Sequence, residues 1–226
     1  MQVQCYTVGM FSVNTYLLTD TETGYSAIVD TGEDRQLVDI LQKENLDIKM
    51  ILLTHAHIDH AGALSYLQEV WDVPTYMPSL EKVLFDTLPM QGSMFGMPQL
   101  NRPCGKIDHL IEDGFEVMLG KTKLRFLSTP GHTPGQGCWY DENDIIVGDT
   151  LFAGSIGRTD FPMSDPAQMV RSLRKLMELP PEMRVHSGHG PMTTLGDELM
   201  NNPFLGYIRE ERGISGARGF SWTTFT

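Results

Sequence analysis

The sequence predicts an α/β fold in which two sheets pack face to face and helices cover their outer sides. Three observations carry this expectation. Short β-prone runs occupy both halves of the chain, helical patterns follow each set, and no Pro/Ser-rich linker divides the halves. The reading is therefore one domain over residues 1–205, followed by a tail at 206–226.

In the first half, Val3–Val8, Val13–Thr19 and Tyr25–Val29 are β-prone runs separated by Gly9 and by the turn-rich segment Asp20-Thr21-Glu22-Thr23-Gly24. Gly32-Glu33-Asp34 is expected to open a helix of about ten residues ending near Lys43. Met50–Thr54 is an apolar strand, and Gly62–Val70 the helix beyond it. Asp59 has the chemistry of a cap for that helix. Leu80–Leu88 reads as helical, whereas residues 89–103, rich in Met, Gly, Pro and Gln, show no clear period.

The second half repeats the strand theme at Phe115–Leu119, Lys123–Ser128, Gly137–Tyr140 and Asp144–Val147. Pro166–Met177 is an amphipathic helix with Met169, Val170, Leu173, Leu176 and Met177 at helical spacing. A strand at Arg184–His186 and a short helix at Leu195–Met200 complete the pattern. The tail contains Arg209, Arg212, Arg218, Phe220, Trp222 and Phe225. It reads either as disordered or, from its aromatics, as docking on the same subunit or on a neighbour in a homodimer.

The chain has 226 residues, 41% hydrophobic and 20% charged, which suits a soluble globular protein with a sizeable core. A formal charge of −12 argues against a nucleic-acid partner. Three cysteines (Cys5, Cys104, Cys138) without zinc-ribbon spacing imply free, buried thiols in a reducing compartment. The N-terminus lacks a signal-peptide pattern, and no apolar stretch reaches membrane-spanning length. The expectation is a cytoplasmic protein with no membrane partner.

The richest local chemistry is His55-Ala56-His57-Ile58-Asp59-His60, directly after the strand Met50–Thr54. Four metal-competent side chains fall within six residues. His55 and His57 reach one side only if the stretch is extended or looped, since helical ligands converge at i and i+4. Asp59 and His60 are adjacent and must point apart, which favours two ions over one. Later strands also run into candidate ligands: Pro130-Gly131-His132-Thr133, Gly148-Asp149-Thr150 and His186-Ser187-Gly188-His189-Gly190-Pro191. Loops at strand ends, with glycine alongside, are suited to such a site. The imidazoles and carboxylates gathered at these strand ends suit Zn²⁺ first, and also Fe or Mn.

Taken in order, His55-x-His57-x-Asp59-His60, Pro-Gly-His132-Thr, Gly-Asp149-Thr and Gly-His189-Gly-Pro resemble the metallo-β-lactamase superfamily, over about Val3 to Leu205. Within it the chain is most similar to small glyoxalase II-like hydrolases, through the run from Gly148 to Phe161 and through Asn202-Pro203-Phe204-Leu205. The resemblance implies a four-layer αββα sandwich with a dinuclear site. His55, His57 and His132 would hold one ion, Asp59, His60 and His189 the other, and Asp149 would bridge them. Asp30 matches a position that supports the site from behind the ligands; a plain turn aspartate is the alternative. His109 and His186 match no ligand position and read as structural.

The activity so implied is hydrolysis of a small-molecule acyl thiol such as S-lactoylglutathione by a metal-bridging hydroxide, with Asp59 as the catalytic residue that orients it. A thiol leaving group, with a pKa of about 8.5, departs with little acid assistance. Two features set the chain apart from full-length glyoxalase II proteins. Only 37 residues follow His189, fewer than their glutathione-gripping helical region needs, and the net charge offers no basic platform. Arg158 is a candidate for binding a substrate carboxylate, with a salt bridge to Asp160 as the equal alternative. The Met90–Met97 segment reads as a flap over the substrate or as a plain surface loop. The rival activity is a persulfide dioxygenase using one iron on His55, His132 and Asp149.

Overall fold

A computed structural model describes residues 1–214. In the first half, β1 (Gln2–Val8), β2 (Val13–Thr19) and β3 (Tyr25–Val29) form an antiparallel meander. Three parallel strands, β4 (Asp47–Leu52), β5 (Thr75–Pro78) and β6 (His109–Ile111), extend it in sequence order. The second half supplies β7 (Glu116–Leu119), β8 (Thr122–Ser128), β9 (Gly137–Tyr140) and β10 (Asp144–Gly148). A small hairpin follows, β11 (Leu151–Phe152) and β12 (Ser155–Ile156), and then β13 (Arg184–Ser187) and β14 (Thr193–Thr194). Apart from the hairpin, these strands make a second sheet in the order β14-β13-β10-β9-β8-β7, with β10 and β13 parallel.

The side-chain period of two divides each central strand between two cores. From the first sheet, Tyr16, Leu18, Ala27, Val29 and Leu52 face the second sheet and meet Leu124, Phe126, Trp139 and Ile146. Their neighbours Leu17, Ile28 and Ile51 face outward into the helical layer. That layer holds α1 (Gln36–Leu41), α2 (Ile58–Ala61), α3 (Leu64–Gln68), α4 (Lys82–Phe85) and α5 (Leu88–Met94). On the second sheet, Ile145 and Val147 face α6 (Pro166–Leu176), α7 (Leu195–Asn201) and α8 (Gly206–Glu211), through Met169, Leu173, Leu195 and Ile208. The four layers are helix, sheet, sheet, helix, as the sequence predicts.

Several elements depart from the sequence reading. The first helix starts only at Gln36, because Glu33 turns its buried carboxylate away to accept the N–H groups of Met10 and Phe11, and Asp34 Oδ1 accepts the Gln36 N–H at 2.8 Å. The expected helix at 62–70 is shortened to α3, and a separate turn, α2, precedes it across Gly62-Ala63; His57 is the N-cap of α2, Asp59 lies within its first turn and Ala63 caps α3, so Asp59 is not the cap. The aperiodic segment after Leu88 is partly helical: Pro89 occupies the first turn of α5, where its missing N–H costs nothing. Strands β5 and β6 escape sequence reading, being four and three residues long with Pro78 and His109 inside them.

Residues 206–211 form α8, which packs on the same chain, one of the two readings of this segment. Ile208 is buried in the outer core, and Arg209 donates to the carbonyls of Leu199 and Asn202 at 2.8 and 2.9 Å. Arg218, Phe220, Trp222 and Phe225 lie outside the described residues. All three cysteines are free, but Cys5, on edge strand β1, is exposed rather than buried. Among the described residues no helix is long and apolar enough to cross a membrane.

Candidate metal centre

The site lies where strand ends from both sheets meet. The loop after β4 delivers His55 and His57, the first turn of α2 delivers Asp59 and His60, and the loops after β8, β10 and β13 deliver His132, Asp149 and His189. Three groups of ligand atoms result, each within 4.8 Å of one another: His55, His57 and His132; Asp59, His60 and His189; and His55, His60 and Asp149. All seven predicted positions therefore converge. Asp149 lies between the first two groups, with Oδ1 at 3.4 Å from His60 Nε2 and Oδ2 at 3.5 and 3.7 Å from the Nε2 atoms of His132 and His189. Asp59 Oδ2 is 3.2 Å from His189 Nε2. The close approach of β13 depends on Gly188, where a Cβ would run into Asp149 Oδ1 and the His60 ring.

Each central imidazole is fixed by its far nitrogen, which leaves the near one directed into the cluster. Asp30, at the end of β3 with φ of 59°, accepts the Thr54 N–H on Oδ1 and both the Thr54 hydroxyl and His60 Nδ1–H on Oδ2, at 2.7–2.8 Å. Because the single Thr54 hydroxyl proton goes to Asp30, Thr54 Oγ1 accepts from His55 Nδ1–H at 3.0 Å. One carboxylate thus sets the tautomers of two histidines. His132 Nδ1–H donates to the Arg158 carbonyl at 2.8 Å, and its Nε2 lies 2.9 Å from His57 Nδ1.

The donor set fits divalent ions on three counts. His55 Nε2, His60 Nε2 and Asp149 Oδ1 are buried without a hydrogen-bond partner, an arrangement that costs free energy unless something else engages them. Burial, reinforced by neighbouring imidazoles, holds His57 down to about 3 and His55 well below the usual histidine range, so both offer lone pairs at neutral pH. Burial also pulls His60 down, but Asp149, Asp59 and Asp30 more than reverse it and raise it well above the ordinary value. The potential at the heart of the cluster therefore favours positive charge.

Sequence reasoning missed Glu81. This wholly buried carboxylate, in the helical turn Ser79–Glu81, accepts the Ala56 N–H on Oε2 at 2.8 Å, and the Thr133 hydroxyl and Gly135 N–H on Oε1, each at 2.7 Å. It ties the His55–His57 loop to the His132 loop. No periodic or motif signal marks it. Gln91 on α5 braces the same loop, donating to the Ala56 carbonyl at 3.0 Å, so the Met90–Met97 segment is anchored beside the site.

Arg158 meets the first of its two sequence alternatives only in place, near the site, and the second in contact. Its guanidinium pairs with Asp160 through Nε and NH2 at 2.9 and 2.8 Å, and stacks 4.3 Å over the Phe161 ring. His186 is structural, its Nε2 2.8 Å from Asp144 Oδ1, and His109 stacks on Tyr76 with ring centres 4.6 Å apart.

The sequence model described as the metallo-beta-lactamase superfamily matches residues 8–189, the span that contains all seven converging side chains. The chain belongs to the metallo-β-lactamase superfamily. Hydroxyacylglutathione hydrolase GloC of Haemophilus influenzae is 34% identical over 215 residues, covering 91% of this chain and 98% of that protein. Among solved structures, the BLEG-1 B3 metallo-beta-lactamase superposes with a TM-score of 0.82 at 33% identity, covering 90% of this chain and 99% of the other. A protein solved in a di-iron-bound form gives 0.80 at 38% identity, covering 90% and 100%. Fold and superfamily are thereby established, and the His/Asp cluster is the metal-binding feature of a superfamily hydrolase.

Proposed function

We propose that the chain is a dinuclear metal-dependent hydrolase of small-molecule acyl thiols. His55, His57 and His132 would hold one ion, Asp59, His60 and His189 the other, and Asp149 would serve both. The observation that carries this reading is the placement of Asp149, whose carboxylate lies 3.5 Å from His132 of one group and 3.4 and 3.7 Å from His60 and His189 of the other. GloC, a hydroxyacylglutathione hydrolase by name, supports the thioester class. Zn²⁺ is the ion we favour, with iron or manganese as alternatives of similar fit.

When bound, such ions polarise a carbonyl and make hydroxide available at neutral pH. The chain's own contribution is orientation. The Asp59 carboxyl, although raised by burial, is held below the ordinary value by His60 and His189, so it stays ionised and can accept a hydrogen bond from an attacking water.

The test is metal content of protein purified without added metal, paired with thioester turnover by the intact chain. The expected result is two ions per chain, with turnover lost in His60→Ala. One iron per chain, oxygen consumption on glutathione persulfide and activity surviving His60→Ala would overturn the reading in favour of the dioxygenase.

A further inference from the structure

Next to the histidine cluster is a cavity of about 280 Å³ whose far wall is built from phenylalanines. Phe11 comes from the β1–β2 turn, Phe95 from the end of α5, Phe152 from β11 and Phe161 from the loop after β12. Three of them form a connected surface: Phe95 packs edge-on against both Phe11 and Phe161, with ring centres 6.3 Å apart in each case. Phe161 continues to His57 and His132 at 5.7 and 6.0 Å, and Phe152 reaches His189 at 6.0 Å. The apolar wall therefore runs up to the residues that would flank a reacting carbonyl.

Three further features define what this wall accepts. Exposed methionines adjoin it in sequence: Met10 beside Phe11, Met94 beside Phe95 and Met163 close to Phe161, with 65, 69 and 49% of their surface open to solvent. Flexible, polarisable thioethers adapt to apolar ligands of varied shape. Arg158 is the cationic side chain among the described lining residues. Its Nε–NH2 edge is taken by Asp160 and its face lies over Phe161, so an incoming carboxylate would have to displace an existing partner. The wall is also braced, since Glu33 accepts the N–H groups of Met10 and Phe11, and Gln91 ties α5 to the Ala56 carbonyl.

From this geometry, and resting on the thioester reading above, we infer that the substrate carries an uncharged, apolar acyl group, aliphatic or aromatic, seated against Phe95 and Phe161. Polar partners in the cavity sit on its histidine and aspartate side, so a hydroxyl directed at Phe95 or Phe161 would meet phenyl rings instead, and the two carboxylates of a glutathionyl carrier would meet an Arg158 already engaged by Asp160.

The test uses the intact metal-loaded protein and keeps the thiol neutral and constant. Hexanoyl, phenylacetyl and lactoyl thioesters of N-acetylcysteamine are compared, together with S-lactoylglutathione. The expected result is a kcat/KM at least about tenfold higher for hexanoyl than for lactoyl, the lower end of discrimination by an apolar pocket. Moving lactoyl onto glutathione should give no comparable gain. Phe95→Ala and Phe161→Ala should each pull the hexanoyl-to-lactoyl ratio toward one. A ratio at or below one, or one untouched by both substitutions, overturns the inference while leaving thioester hydrolysis standing. Absence of turnover on every thioester instead overturns the underlying reading. The pocket is then judged by calorimetry with unreactive thioethers of N-acetylcysteamine, where S-hexyl must bind more tightly than S-(2-hydroxypropyl) for the apolar assignment to survive.

Discussion

Replacing Glu81 tests the idea that one carboxylate holds two ligand loops in register. Its side chain is wholly buried, and burial pushes its carboxyl pKa up, an opposing contribution that the hydrogen bonds from Thr133, Ala56 and Gly135 only partly offset. Glu81→Ala would leave those three donors without an acceptor in a space that the missing carboxylate had filled. Each stranded buried group costs about 1–3 kcal/mol, but removing a poorly solvated carboxylate recovers part of that, so we expect a net loss of about 3–4 kcal/mol. That is a large share of the roughly 5–15 kcal/mol by which a domain of this kind is stable. Glu81→Gln keeps the volume and an acceptor for Thr133 and Gly135, but points an N–H₂ at the Ala56 N–H, so about 1–3 kcal/mol is expected. Urea unfolding of metal-free protein gives both numbers. Because Ala56 lies between His55 and His57, metal affinity should also fall, by roughly 10–100-fold, the size seen when outer partners of ligands are removed. An alanine variant that unfolds within about 1 kcal/mol of the parent and binds metal equally well would refute the reasoning.

Two other substitutions probe separate parts of the structure. Asp30→Asn would set an N–H₂ group against His60 Nδ1–H and against the Thr54 hydroxyl that supports His55; a chelator competition should show metal affinity lower by about 10–100-fold, and unchanged affinity would show that Asp30 does not set these tautomers. Asp144, at the start of β10, is raised by burial but lowered overall by His186 and the bidentate Arg184. A carboxyl whose folded-state pKa lies below its unfolded value stabilises the fold above about pH 4 and loses that contribution as pH falls through the folded value. Asp144→Asn should therefore cost about 2 kcal/mol at pH 7, a figure reduced for the half-exposed Arg184, and the gap to the parent in urea unfolding should narrow by pH 3. A gap independent of pH would assign the effect to packing alone.

Most of the strands were legible in the sequence as local patterns, as was the cluster at His55–His60, while the family resemblance singled out His132, Asp149 and His189 among the candidates at strand ends. Strands such as Val13–Thr19 and Asp144–Gly148 are β-prone runs buried on both faces, and the His55–His60 motif concentrates its donors within one turn. Sequence order also placed each ligand after a strand, where loops can converge. Tertiary structure alone decided the features made by long-range contact. Glu81 meets Ala56, Thr133 and Gly135 from 25, 52 and 54 residues away, and Glu33 reaches back to shorten α1, so neither leaves a periodic trace. The phenylalanine wall gathers residues 11, 95, 152 and 161 from separate elements, and nothing in their spacing along the chain announces that they line one cavity. Strands β5 and β6 exist because neighbouring strands supply their hydrogen bonds, and three or four residues containing a proline or histidine carry too weak a propensity to announce it. Residues within one turn of each other are fixed by covalent geometry. Residues dozens of positions apart meet only because burying the cores on both sides of each sheet brings their loops to the same edge.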